Sequence, residues 1–241
     1  MNSQVISLKK AQSVCEQCGI YRLCLPMGLS IPDLDQLDQI IKSNRPLKKG
    51  EHVYQAGEPF TSIYALRSGS IKSYYLNEQG EEHVLGIKMP GDLLGLSGIN
   101  GNQYQNSAQV LETSNVCEIP FSQLETLGRE IPGLSHHLLE IMSKEIQDEQ
   151  HKSAMCSTMT AEARLASLIQ TISQRFHARG FSATEFHLSM SRNDIANMLG
   201  LAVETVSRLF THFQEQEILK VDRKHIQIIN PEKLAQLIRI N

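Results

Sequence analysis

The sequence lacks a surplus of charge of either sign: 23 Lys and Arg stand against 26 Asp and Glu, a formal net charge of −3 at pH 7. With 41% hydrophobic and 20% charged residues over 241 positions, this balance excludes an intrinsically disordered chain and allows a sizeable core. Long hydrophobic runs are missing as well. Stretches such as Val84-Leu85-Gly86-Ile87 fall far short of the roughly 20 apolar residues that cross a bilayer, so no membrane helix is expected. Residues 1–10 place Lys9 and Lys10 after the apolar residues, the reverse of a secretory signal, and the expected compartment is the cytoplasm. Also absent are a nucleophile elbow, a P-loop and any metal-hydrolase motif, and the nine histidines, His136-His137 among them, show no ligand spacing. An enzyme is not expected.

Cysteine is scarce, at five residues. In a chain expected in the cytoplasm these read as metal-binding, catalytic or buried thiols rather than a disulfide framework. Cys15, Cys18 and Cys24 form C-x2-C-x5-C, with Cys117 and Cys156 remote from them. Gly19, Pro26 and Gly28 make residues 1–30 an irregular arm. Three thiols on that arm and Cys117 from the following domain give the usual complement for an iron-sulfur cluster. The same set could hold a structural zinc, and ligand number alone does not choose between them.

The rest of the chain reads as α+β. From Asp33, Leu34, Leu37, Ile40 and Ile41 follow a helical period that Pro46 closes. Residues 50–101 hold nine of the fifteen glycines between short runs at 62–66 and 71–76, the pattern of a small β-sandwich or β-roll. Residues 110–120 add one more expected strand, containing Cys117. After Pro132-Gly133 no Gly or Pro occurs until beyond Met159, which predicts one helix longer than the ~11 to 12 residues of an average one. Two apolar stripes lie on it. Leu134, Leu138 and Ile141 suit packing on the helix's own domain, whereas Leu139, Met142, Ile146, Glu149, Ser153 and Cys156 alternate in steps of three and four like a dimer seam. Glu149 and Ser153 weaken that seam, so dimerisation should be marginal and tunable. Cys156 on it reads as a buried small hydrophobe rather than a ligand.

Residues 161–241 carry ten Lys/Arg against eight Asp/Glu, the remainder thirteen against eighteen, a modest basic shift towards a nucleic-acid surface. Within them, residues 192–199 and 203–210 read as two helices broken at Gly200, the first capped by Ser191. This is the helix-turn-helix pattern. Ile195, Ala196, Leu199, Leu201, Val206 and Leu209 would lock the pair, leaving Val203, Glu204, Ser207 and Arg208 on the outer face. Arg208 can chelate guanine O6 and N7, Glu204 can accept from cytosine N4, Ser207 can approach either base type and Val203 can touch a thymine methyl. The alternative, that Glu204 and Arg208 are only a solvated i,i+4 pair, explains neither the Gly200-Leu201-Ala202 turn nor the polar cluster after it.

Glu204-Thr205-Val206-Ser207-Arg208 behind Asp194-Ile195-Ala196-Asn197-Met198-Leu199-Gly200 resembles the recognition helix of the CRP/FNR family of bacterial transcription regulators. The resemblance covers nearly the whole chain. It implies a cysteine-bearing arm over 1–30, an N-terminal β-roll sensor like a cyclic-nucleotide-binding domain over 31–130, a long dimerisation helix over 131–160 and a C-terminal winged helix-turn-helix over 161–241, its wing at 220–229. In nucleotide-binding relatives a Gly-Glu pair and an Arg hold the ligand. Here the matching segments are residues 91–96 and Asn106-Ser107-Ala108. The second has no Arg, and a buried phosphate without that cation would cost roughly several kcal/mol. No cyclic nucleotide is expected.

The cysteine spacing, with Val116-Cys117-Glu118-Ile119-Pro120, Ile71-Lys72-Ser73 and Glu78-Gln79-Gly80-Glu81, resembles the oxygen-responsive FNR branch. That resemblance implies a 4Fe-4S cluster on Cys15, Cys18, Cys24 and Cys117, converted to 2Fe-2S or lost in oxygen. It implies a homodimer formed at low oxygen, with Ile146 and Glu149 coupling the cluster to the seam, and binding of double-stranded DNA at palindromes like TTGAT-N4-ATCAA. It also implies contact with RNA polymerase through Gly80, Glu81 and Glu82 and through Gly180, Phe181 and Ser182. The family commonly has Asp where Glu149 stands.

Overall fold

The computed structural model describes residues 15–239, without the side chains at 16, 155–157 and 239. The Lys9-Lys10 segment and the Cys156 side chain therefore lie outside the described residues. Two short 3-10 turns, Cys15–Gln17 and Tyr21–Leu23, lie in the described part of the arm. Helix α1 (Ile31–Ile40) begins two residues before the expected Asp33. Ser30 caps it by accepting the Asp33 amide, and Pro32 fits the first turn, where its missing N–H costs nothing.

Eight strands build the β-roll: β1 (Lys42–Ser43), β2 (His52–Tyr54), β3 (Ser62–Ser68), β4 (Ile71–Leu76), β5 (Glu82–Lys88), β6 (Leu93–Leu94), β7 (Ser107–Val110) and β8 (Asn115–Pro120). They pair into two four-stranded sheets, β1-β8-β3-β6 and β2-β7-β4-β5. The single strand expected over 110–120 is therefore corrected to parts of two, one in each sheet. Ser114 makes the crossing: its hydroxyl donates to the Glu112 carbonyl at 2.7 Å and its backbone pairs with Leu47. Gly69, at φ +89°, allows the close pass, since a Cβ there would sit 2.2 Å from Ser114 Oγ. Between the sheets Tyr54 and Tyr104 stack with ring centroids 4.0 Å apart, and the Tyr104 hydroxyl donates to the Ser62 carbonyl.

Helix α2 (Phe121–Glu130) leads into α3 (Pro132–Thr158), one continuous helix of 27 residues. Its two stripes separate as the spacing predicts. Leu134 is buried in the sensor core, with Leu138 and Ile141 packed against it, whereas Leu139 and Ile146 are 63% and 58% exposed. Glu149 and Ser153 are exposed and Met142 is half-buried. Among the described residues no helix is long and apolar enough to cross a membrane.

The C-terminal part contains α4 (Ala161–Ala178), β9 (Glu185–His187), α5 (Arg192–Leu199), α6 (Val203–Glu215), β10 (Leu219–Asp222), β11 (His225–Ile228) and α7 (Pro231–Arg239). Strands β10, β11 and β9 form a small antiparallel sheet. Tyr74, Val84 and Leu111 of the β-roll join Leu165, Ile169, Ile195, Val206 and Phe210 in one buried core. The β-roll and the helix-turn-helix are thus packed on each other.

Candidate functional site

The arm is closed by its own backbone. Cys18 N donates to Cys15 O and Tyr21 N to Cys18 O, each at 3.0 Å, and the Cys15 amide donates to both oxygens of Asp38 on α1 at 2.9 and 3.0 Å. The second turn rests on Gly91, at φ +98°, where a Cβ would meet Leu23 O at 2.8 Å. Cys117 enters from β8, opposite Ser43 on β1 and Ala65 on β3. Cys15, Cys18, Cys24 and Cys117 consequently line one cavity of about 30 Å³, walled mainly by Ile20, Tyr21, Leu25, Leu37, Ile41 and Ile119. Burial pushes the Cys24 thiol up to about 12. Burial, and then the neighbouring Asp38 carboxylate, pushes Cys15 higher still. A bound cation would stabilise the Cys15 and Cys24 thiolates against that burial, and four cysteine sulfurs are the donor set that an iron-sulfur cluster takes.

At the other end of the chain, Ser191 and Asp194 form a reciprocal capping box. The Asp194 amide donates to Ser191 Oγ at 3.0 Å and the Ser191 amide to Asp194 Oδ2 at 2.9 Å. Gly200 ends α5 at φ 64°, the left-handed conformation that a glycine C-cap supplies. The Leu201 amide then closes on Ala196 O at 2.9 Å. Val206, Phe210 and Phe213 bury the inner face of α6, which runs five residues beyond the expected Phe210. Leu201 and Leu209 are only half-buried. Glu204, Ser207 and Arg208 are exposed on the outer face. Val203, expected beside them, is half-buried against the core because it opens the helix where α5 and α6 meet. Ser207 Oγ donates to Val203 O at 2.9 Å, and Arg208 Nη2 donates to Thr205 Oγ1 at 3.3 Å.

Gly80 and Glu81 lie in the exposed β4–β5 turn, where Asn77 Oδ1 accepts the Gln79 and Glu81 amides at 3.0 and 2.8 Å. Glu82, grouped with them from sequence, is turned to Lys72 at 2.6 Å instead, since a buried ammonium draws the nearest carboxylate. Gly180, Phe181 and Ser182 follow α4, with Phe181 60% exposed and Ser182 Oγ accepting the Thr184 and Glu185 amides.

Sequence reasoning missed the contacts between the two halves. Asp92, in the segment matched to a nucleotide site, pairs with Arg175 of α4 and, at 2.9 Å, with Arg179 just after it. Lys72 pairs with Asp194 at 3.1 Å. More than 80 residues separate the members of each pair, so no local spacing signals them.

Two family profiles match the chain: a cyclic nucleotide-binding domain over residues 44–130 and a Crp-like helix-turn-helix domain over residues 163–237. The chain is 47% identical over 226 residues to the transcriptional activator protein Anr of Pseudomonas protegens, covering 94% of this chain and 93% of that one. It is 46% identical over 223 residues to the fumarate and nitrate reduction regulatory protein of Escherichia coli K12, covering 92% and 89%. The solved structure of FixK2 from Bradyrhizobium japonicum superposes with a TM-score of 0.75 at 26% identity, over 82% of this chain and 97% of FixK2. The chain belongs to the CRP/FNR family of transcription regulators, in its FNR/Anr group.

Proposed function

We propose that this regulator governs transcription in response to oxygen through a 4Fe-4S cluster held by Cys15, Cys18, Cys24 and Cys117. The convergence of these four thiols from the arm and β8 on one cavity carries the reading. When bound, the cluster supplies the oxygen-labile redox chemistry. The chain's own residues supply two buried and two half-buried thiols, a largely apolar wall against water, and an arm fixed on Asp38 and Gly91. The names of the relatives, an activator Anr and a fumarate and nitrate reduction regulator, support control of anaerobic genes.

Zinc at the same thiols is the second reading. A tetrahedral zinc with Zn–S of about 2.3 Å requires sulfurs roughly 3.8 Å apart. Among the described residues no three His, Cys, Asp or Glu side chains form a group that could hold a metal ion, a finding that bears equally on zinc and on a cluster, so metal and sulfide analysis separates the two readings.

The exposed seam of Leu139 and Ile146, with Met142, Glu149 and Ser153 beside it, supports a homodimer. Its two α6 helices would enter successive major grooves about 34 to 36 Å apart, with Glu204, Ser207 and Arg208 reading bases and Val203 bordering them. RNA polymerase is assigned the Gly80-Glu81 turn and the Gly180-Phe181-Ser182 turn, and the protein acts in the cytoplasm. Binding of a TTGAT-N4-ATCAA duplex by anaerobically purified protein tests this reading. Loss of binding on exposure to air is expected, and indifference to air overturns it.

A further inference from the structure

Strand β5 is the edge of the sheet β2-β7-β4-β5, so part of its backbone faces away from β4 without a neighbouring strand. Asn197, in the middle of α5, covers that edge. Its Oδ1 accepts the Val84 amide at 2.6 Å and its Nδ2 donates to the Glu82 carbonyl. One side-chain amide thus supplies the donor and acceptor that an added strand would offer. Beside it, Lys72 on β4 reaches Asp194 in the first turn of α5 at 3.1 Å. Helix α5 is therefore held to the β-roll at two points, one of them at Asp194, the capping-box partner of Ser191.

The same strand also holds the dimer helix. Ser73 pairs with Gly86 and Tyr74 with Val84, which leaves Leu85 as an unpaired bulge residue. The Leu85 carbonyl accepts Lys152 Nζ from α3 at 3.2 Å, and Gly86, lacking a Cβ, lets that ammonium lie alongside. Lys88, at the end of β5, pairs with Glu145 of α3. Neighbouring residues of one strand, Val84 and Leu85, thus grip α5 and α3 respectively.

We propose that Asn197, supported by the Lys72–Asp194 pair, is a positioning residue for DNA recognition that fixes the recognition helix relative to the dimer axis. Helix α3 carries the axis, β5 is bound to α3, α5 is bound to β5, and α6 is bound to α5 through the Gly200 turn. The latch sets the separation and tilt of the two α6 helices and touches no base. Its role is to select the spacing between half-sites, while the outer face of α6 selects their sequence. This inference rests on the proposed palindrome-binding dimer.

The test compares wild type, Asn197→Ala and Lys72→Met, as anaerobically prepared full chains, on duplexes whose half-sites are separated by three, four or five base pairs. The same proteins are measured by hydrogen exchange at the Val84 amide without DNA. In wild type Val84 should be protected and one spacing preferred. Asn197→Ala should speed Val84 exchange and cut the spacing preference about tenfold, within the usual range for coupling between separate sites. Base discrimination within a half-site should not change. A purely structural role would weaken all duplexes alike and leave the preference intact, and that result overturns the inference. So does an unprotected Val84 in wild type. If Asn197→Ala does not fold, Lys72→Met must shift the spacing preference, and an unchanged preference is equally decisive. A wild type with no preference among the spacings refutes the palindrome reading itself, whereas a preference shared by wild type and variants refutes this inference alone.

Discussion

Lys72 and Asp194 lie 3.1 Å apart across the boundary between the β-roll and the helix-turn-helix, with only 8% and 10% of their side chains exposed. Burial alone would lower the Lys72 ammonium. Hydrogen bonds to Glu82 and Asp194 more than reverse that and raise it above its ordinary value. Burial would likewise raise the Asp194 carboxyl, but bonds from Ser191 and Lys72 hold it below the usual range. Both groups are charged at neutral pH, and each depends on the other.

Asp194→Ala should be among the most destabilising single changes in the chain. It leaves the buried Lys72 with only the partly exposed Glu82, and removing one partner of a buried pair costs about 3 to 5 kcal/mol. It also removes the returning half of the capping box, the bond from the Ser191 amide to Asp194 Oδ2, while Ser191 still caps α5. Urea unfolding measures the sum, and a loss below about 1 kcal/mol would contradict the account.

The contribution of the pair should not vary from about pH 5 to 9. Asp194, lowered in the folded state, contributes stability that is present above its unfolded value of about 3.9 and lost as pH falls through its folded value. Lys72, raised in the folded state, contributes stability that is present below about 10.4 and lost as pH rises through its folded value. The stability difference between wild type and Asp194→Ala, followed by denaturant titration against pH, should be flat in that window and shrink towards pH 3. A step near neutrality would contradict the assignment.

Arg208→Ala should cost roughly 1 to 3 kcal/mol of discrimination at one base position, because its guanidinium is exposed on the outer face of α6. Competition binding against single-base variants of the duplex measures it. An equal loss on every duplex would make Arg208 a phosphate contact instead.

On α3, Ile146→Glu should yield a folded monomer, since Ile146 is already exposed to solvent in the single chain. Glu149→Ala should strengthen the dimer in air by removing a carboxylate from the seam. Sedimentation of both variants with and without oxygen tests the pair of effects. A dimer unaffected by Ile146→Glu would place the interface elsewhere.

What could be read from sequence follows how local each signal is. The helix-turn-helix was legible because Ser191, Asp194 and Gly200 each act within four residues of their own position. The two stripes of α3 were legible because helical spacing alone assigns their faces. The division of residues 110–120 between two sheets was not, because it depends on Gly69 meeting Ser114 across 45 positions. The half-burial of Val203 comes from the packing of α5 on α6 and the turning of Glu82 to Lys72 from the pairing of β5 with β4, tertiary contacts to which periodicity is blind. The cysteines lie between these cases. Their spacing suggested a ligand set, but only the fold brings Cys117 to the arm.

The most direct test of the central claim is iron, acid-labile sulfide and zinc per chain in anaerobically purified wild type and in the Cys15, Cys18, Cys24, Cys117 and Cys156 to Ser variants. The account predicts about four iron and four sulfide in wild type, loss of both in each of the first four variants, and retention in Cys156→Ser. Zinc without sulfide, or a full complement of iron and sulfide in Cys117→Ser, would contradict it.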